Sequence, residues 1–109
     1  MNITTRTKEG VTVLDLDGKL VGGVPLQQTV QELLASGVTK ILLNLDGVDW
    51  MDSSGLGELT ATLKMAGQKG AALKLLQVQG KVKEVLVMTR LLWALEVYDE
   101  ETEAVSSFR

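Results

Sequence analysis

The sequence predicts an α/β fold: a mixed, mostly parallel sheet of four to five strands with about four helices. Three observations lead there. The segment V-T-V-L-D-L-D at 11–17 alternates apolar with mostly polar residues, the period of a strand with one buried face. The runs K-I-L-L-N-L at 40–45 and A-L-K-L-L-Q-V at 72–78 are nearly continuous in apolar residues and read as strands covered on both faces. Segments with helical apolar spacing lie between these strands, and such alternation favours parallel pairing.

Each element has its own signal. Residues 2–8 form an antiparallel partner for 11–17, with Glu9-Gly10 as the hairpin turn. Gly18, Gly22 and Gly23 break the strand pattern before Pro25. From Pro25 the pattern is helical: Leu26, Val30, Leu33 and Leu34 share a face, and Gln27, Gln28, Gln31 and Glu32 fill the other. Pro25 suits the first turn, where its missing N–H is no loss, and Gly37 suits the stop. A second helix over 54–67 carries Leu56, Leu59, Leu63 and Ala66 as its apolar stripe, and Gln68-Lys69-Gly70 is a turn. A third helix is expected over 80–92, with Val82, Val85, Leu86 and Thr89 on one side. Residues 95–98 form a short last strand. Residues 101–108 form a final helix with acids in its first turn, where the helix dipole favours them.

The 109 residues read as a single domain over 1–109, with no linker or repeat, and the pattern leaves two and three layers equally open. Trp93, Leu91 and Leu92 are expected to pack under the last strand, and Met51 to lie in the core. Lys81, Lys83 and Arg90 form a solvated face of the third helix. Trp50 faces either the core or a partner.

Composition excludes several function classes. Apolar residues make up 45% and aromatics 4%, so the core is aliphatic. A net charge of −3 argues against nucleic acid as a partner. Without Cys there are no disulfides, thiolate catalysis or Cys-type zinc sites. Without His the usual general base and the commonest metal ligand are missing, so neither metal nor cofactor is expected. The polar first ten residues are no signal peptide, and no apolar run reaches the ~20 residues of a membrane span. A cytoplasmic domain without membrane insertion is expected.

The informative stretch is V-D-W-M-D-S-S-G-L-G-E-L at 48–59. It sits at the carboxyl end of a strand, where α/β sheets meet their ligands and partners. Ser53 and Ser54 stand at the start of a helix, where free N–H groups favour anions, and one of the two serines is expected to be the N-cap. Gly55 and Gly57 either leave backbone uncovered or allow close packing. No lysine-bearing phosphate loop is present, and G-L-G lacks the third glycine of a dinucleotide fingerprint, with Thr60 in its place. A nucleotide-binding domain or weak enzyme therefore ranks last. Serine catalysis would need a lysine base, and nothing in their spacing favours Lys64 or Lys69.

This stretch resembles the signature of STAS domains, specifically the bacterial anti-sigma-factor antagonists. The resemblance extends over the whole chain, through V-T-V-L-D-L-D-G-K-L, I-L-L-N-L-D-G-V and G-A-A-L-K-L-L-Q-V. It implies a non-enzymatic switch. The serine after the aspartate, here Ser53, would be phosphorylated by an anti-sigma factor that is also a serine kinase. The unphosphorylated form would bind that factor and free a sigma factor; a phosphatase would restore it. The implied partner-binding residues are Asp52, Ser53, Ser54, Gly55, Leu56 and Gly57, with Asp46, Asp49 and Val21 nearby. A phosphate adds about −1.5 to −2 charges beside these acids. Like-charge repulsion of several kcal/mol then implies at least a ~100-fold loss of affinity. Antagonists of this type usually carry G-x-L-D where this chain reads Gly18-Lys19-Leu20-Val21, so Val21 stands where an acid is expected. That departure favours the alternative of a STAS subunit docked constitutively on a larger assembly, such as a lipid-transport ATPase complex. The loop Val21–Pro25 reads as apolar and flexible, a possible contact patch of its own.

Overall fold

The computed structural model describes residues 1–109. Strand β1 (Asn2–Lys8) runs antiparallel to β2 (Val11–Leu20), with Lys8 opposite Val11. Glu9 and Gly10 both have positive φ, 50° and 82°, the pair of values a tight hairpin turn needs to match strand twist. There follow α1 (Leu26–Ala35), β3 (Lys40–Met51), α2 (Ser53–Gln68), β4 (Ala72–Leu76) and α3 (Gly80–Met88). A single 3-10 turn (Leu92–Ala94), β5 (Val97–Tyr98) and α4 (Glu101–Ser106) complete the chain.

The five strands lie in the sheet in sequence order, β1-β2-β3-β4-β5, and all pairs after the hairpin are parallel. Each crossover therefore steps the same way. Crossovers of one hand put their helices on one face. Accordingly Leu26 and Val30 of α1, Leu59 of α2, and Val82 and Leu86 of α3 share one core with Leu14, Leu16, Ile41, Leu43 and Leu75 of the sheet. On the other face Val11, Val13, Leu42 and Leu76 meet Ala104 and Val105 of α4. The result is three layers, and the apolar run at 40–45 is covered on both sides as expected.

On the α4 face polar groups fasten the helix. Arg6 pairs with Asp15 at 2.7 Å and with Glu101, and Lys8 lies 3.3 Å from Glu101. Buried Lys74 donates to the carbonyl and the hydroxyl of Ser107, both at 2.9 Å, beneath the Phe108 ring.

Several expectations are corrected. Strand β3 continues to Met51, because D-G-V-D-W-M pairs with the end of β2 across two register shifts. Gly18 lies inside β2 at one of these shifts and does not end the strand. Helix α3 stops at Met88, and Arg90 turns the chain with φ 62°. Trp93 is not packed under the last strand but 74% exposed. In a 3-10 turn residues three apart eclipse, so Leu92 and Leu95 share the inner side and Trp93 projects outward. Pro25 is the N-cap of α1, one position before the first turn.

Candidate functional site

The site forms where β2 and β3 end and α2 begins. Met51, the last residue of β3, is fully buried and anchors the junction. Asp52 then adopts extended backbone (φ −119°) and becomes the N-cap of α2, its carboxylate accepting the N–H of Gly55 at 2.9 Å. The expectation of a serine cap is thus corrected. Ser54 is occupied otherwise. Its hydroxyl donates to the same Asp52 oxygen at 2.6 Å and accepts the N–H of Gly22 at 2.9 Å. The Ser54 hydroxyl and the Gly55 N–H hold the Asp52 carboxyl below the usual carboxylate range.

The relay from Gly22 through Ser54 to Asp52 ties the loop 21–25 to the head of α2. That loop, expected to be flexible, is fixed again at its far end, where Gln27 donates to Glu58. Val21, half-buried, lies beside this tether.

The two glycines have separate reasons. A Cβ on Gly55 would fall 1.7 Å from the Leu20 carbonyl oxygen, so only glycine lets α2 seat against the end of β2. A Cβ on Gly57 would meet nothing within 4 Å. Gly57 is exposed one turn after Ser53 and Ser54, and leaves bare backbone on the same helix face. Leu56 turns inward against the core.

Ser53 differs from Ser54. It is exposed, and its hydroxyl enters none of the hydrogen bonds of this junction. Beside it a cavity of about 300 Å³ opens between the end of β3 and α3. Trp50, Ser53, Lys81, Glu84 and Met88 are on its walls. Trp50 is 41% exposed, with Lys81 5.0 Å and Lys19 6.0 Å from its ring centroid. Lys81 is therefore part of the groove wall, whereas Lys83 and Arg90 are solvated as expected.

The fold gathers Val21, Asp52, Ser53, Ser54, Gly55 and Gly57 at this junction. Asp49 is exposed near the end of β3. Asp46 is not brought there. It lies five positions before Met51, roughly 16 Å of strand, and accepts from Gln79 at the head of α3 at 2.9 Å. Lys69 caps the opposite end of α2 from Ser53, roughly 24 Å away at 1.5 Å per residue. Lys64 is roughly 16 Å along the same helix, so neither lysine can serve Ser53 as a base. Sequence reasoning missed Gly22, Glu58 and the groove residues Glu84 and Met88, whose roles depend on pairing between distant elements.

A free hydroxyl and bare backbone beside an apolar groove, held on a rigid strand-to-helix junction, define a small binding domain. Comparison with known families carries this further. The STAS domain family matches residues 2–104, and the chain belongs to it. It is 32% identical to the anti-sigma-B factor antagonist of Staphylococcus aureus, over 94% of this chain and 96% of that one. It is 28% identical to the anti-sigma F factor antagonist of Paenibacillus polymyxa, over 97% and 93% of the two chains. The anti-sigma factor antagonist SpoIIAA shares the fold at 19% identity. Its unphosphorylated form superposes with a TM-score of 0.72 over 99% of this chain and 98% of that one. Its phosphorylated form, from Bacillus, gives 0.74 over 99% and 100%. No helix here is long and apolar enough to cross a membrane.

Proposed function

We propose that this chain is an anti-sigma-factor antagonist whose binding is switched off by phosphorylation of Ser53. The observation that carries the reading is the contrast between two adjacent hydroxyls. Ser54 has its proton and an acceptor lone pair engaged, while Ser53 is exposed and free. Only Ser53 can enter a kinase site without breaking the relay that holds the junction. Relatives named as antagonists of anti-sigma factors, and a structural neighbour known with and without phosphate, support the same reading.

The unphosphorylated surface, Asp52, Ser53, Ser54 and Gly57 with Val21 and Asp49 at its edge and with Gly55 and Leu56 packed beneath it, docks on an anti-sigma factor with serine-kinase activity and so frees a sigma factor. In the kinase step Ser53 Oγ forms a new bond to the γ-phosphorus of a nucleoside triphosphate. The bond to the nucleoside diphosphate breaks, and the hydroxyl proton leaves to a base of the kinase. The added charge of about −1.5 to −2 repels an acidic partner surface and has to be desolvated against an apolar one. The α2 N-terminus stabilises that charge in the free protein, so the fold survives and the switch acts at the surface. A phosphatase reverses it.

The test is intact-mass and phosphopeptide mass spectrometry of protein from its native cells, with and without phosphatase. Phosphate on Ser53 is expected. Its absence across growth and stress conditions would favour a second reading, to which Val21 in place of the expected acid already points. In that reading the domain docks constitutively on a larger assembly, such as a lipid-transport ATPase complex, and co-purifies with it in fixed ratio.

A further inference from the structure

The groove beside Ser53 holds a cation that repulsion-driven release leaves without a role. Lys81 is in the first turn of α3, its ammonium 5.0 Å from the Trp50 ring centroid. Its carboxylate partner is Glu84, three positions along the same helix, at 3.5 Å and more than half exposed. A pair of that kind is weak and screened by solvent, so the ammonium is easily drawn away. Ser53 and Lys81 line the same cavity of about 300 Å³, and a phosphoryl group fills only part of that volume.

We propose that Lys81 receives the phosphate on Ser53 within the same molecule, leaving Glu84 and closing the groove against Trp50. The inference rests on the switch reading of Ser53. A phosphate dianion offers three strong acceptor oxygens, and charge-assisted bonds to it outcompete an exposed single carboxylate. The phosphorylated form then differs from the free form in shape as well as charge. The groove open to a partner side chain in the unmodified protein is occupied by the protein's own ion pair. Glu84 faces the same space and opposes the pairing.

The charged groups lining the groove beside Ser53 are Asp52 at the junction and Glu84 and Lys81 on α3, with Lys19 of β2 next to Trp50. The second ionisation of the phosphate therefore reports on Lys81. The experiment installs phosphoserine at position 53 of the full chain by genetic encoding and follows its titration by phosphorus NMR. Lys81→Met is expected to raise the titration midpoint by about half a pH unit or more, as loss of an opposite charge within contact does. Glu84→Gln is expected to lower it, and Lys83→Met, on the solvated face, to leave it unchanged. Coincident titrations of Lys81→Met and the parent would overturn the proposal, as would an equal shift in Lys83→Met. Because no kinase is used, this result is independent of native phosphorylation. A missing phosphate in cells would defeat the switch reading, and a null Lys81 result would defeat only the pairing.

Discussion

Glu58 caps a helix to which it does not belong. Its carboxylate accepts the main-chain N–H of Gln27 at 3.1 Å and the Gln27 side-chain amide at 2.9 Å. The N-cap position of α1 is Pro25, which makes no side-chain cap bond, so α2 supplies the acceptor that α1 lacks. Glu58 is buried at 9% exposure. Replacing it by Ala strands a donor at the head of α1 and opens a small cavity between the helices. Glu58→Ala is expected to destabilise the fold by about 1–3 kcal/mol in denaturant unfolding. Glu58→Gln keeps an acceptor and should lose less than Ala.

Gly55 and Gly57 should respond oppositely to the same added methyl group. Gly55→Ala forces a Cβ into the Leu20 carbonyl, and neither partner is a side chain that can swing aside. A loss of at least about 3 kcal/mol is expected, beyond ordinary overpacking. Gly57→Ala adds its methyl to open space in a helix and should raise stability by about 0.5–1 kcal/mol. The same methyl covers backbone on the face shared with Ser53. If that face is the docking surface, Gly57→Ala weakens partner binding measured by calorimetry while the melting temperature rises.

The difference between these glycines marks the limit of what the sequence discloses. The apolar run at 40–45 shows burial on both faces because Ile41 and Leu43 feed one core and Leu42 the other. The hairpin is equally plain, since Glu9-Gly10 is a turn wherever it falls between two strands. The reach of β3 to Met51 is concealed by Asp46, Gly47 and Asp49, polar residues that usually end a strand. Here Gly47 is needed because a Cβ would lie 2.7 Å from the Leu16 carbonyl of β2. The helix cap misleads for a related reason. Two serines read as caps, but Ser54 is drawn to Gly22, a donor on a remote loop, and Asp52 takes the cap. Local patterns show elements; contacts between elements decide which residue of a motif does which task.

The Arg6 cluster makes attachment of α4 sensitive to acid. Arg6, chiefly through its hydrogen bonds, holds Glu101 and Asp15 below the usual carboxylate range, and Asn44 adds to the effect on Asp15. A depressed carboxylate contributes stability above its unfolded value of ~4 and loses it as pH falls through the folded value. The chain should therefore lose stability progressively below about pH 4. All three side chains are a quarter to a third or more exposed, so the gain is modest. Arg6→Met is expected to cost about 1–2 kcal/mol at neutral pH and to flatten the acid side of the stability curve. Urea unfolding across pH 2–7 would show both; an unchanged acid slope would mean the cluster carries no linkage.

Ser54 is a positioning residue, and removing its hydroxyl separates that role from phosphate acceptance. Ser54→Ala leaves the Gly22 N–H without its partner and takes one donor from Asp52. The site is exposed, so water replaces part of the loss and the global effect should stay near 1 kcal/mol. The local effect is larger, because the loop 21–25 loses its near tether and is held from its far end, by Gln27 on Glu58, Thr29 on the Pro25 carbonyl and Val24 against the core. Hydrogen exchange of the Gly22 amide is expected to quicken by about tenfold, the consequence of ~1.4 kcal/mol of local protection. Ser53 remains present and free in this variant. A kinase partner that acts on the parent chain should still modify Ser54→Ala but not Ser53→Ala, although binding of the unmodified Ser54→Ala protein weakens as Val21 and its loop lose their fixed position. Modification that persists in Ser53→Ala and disappears in Ser54→Ala would reverse the assignment of the two hydroxyls.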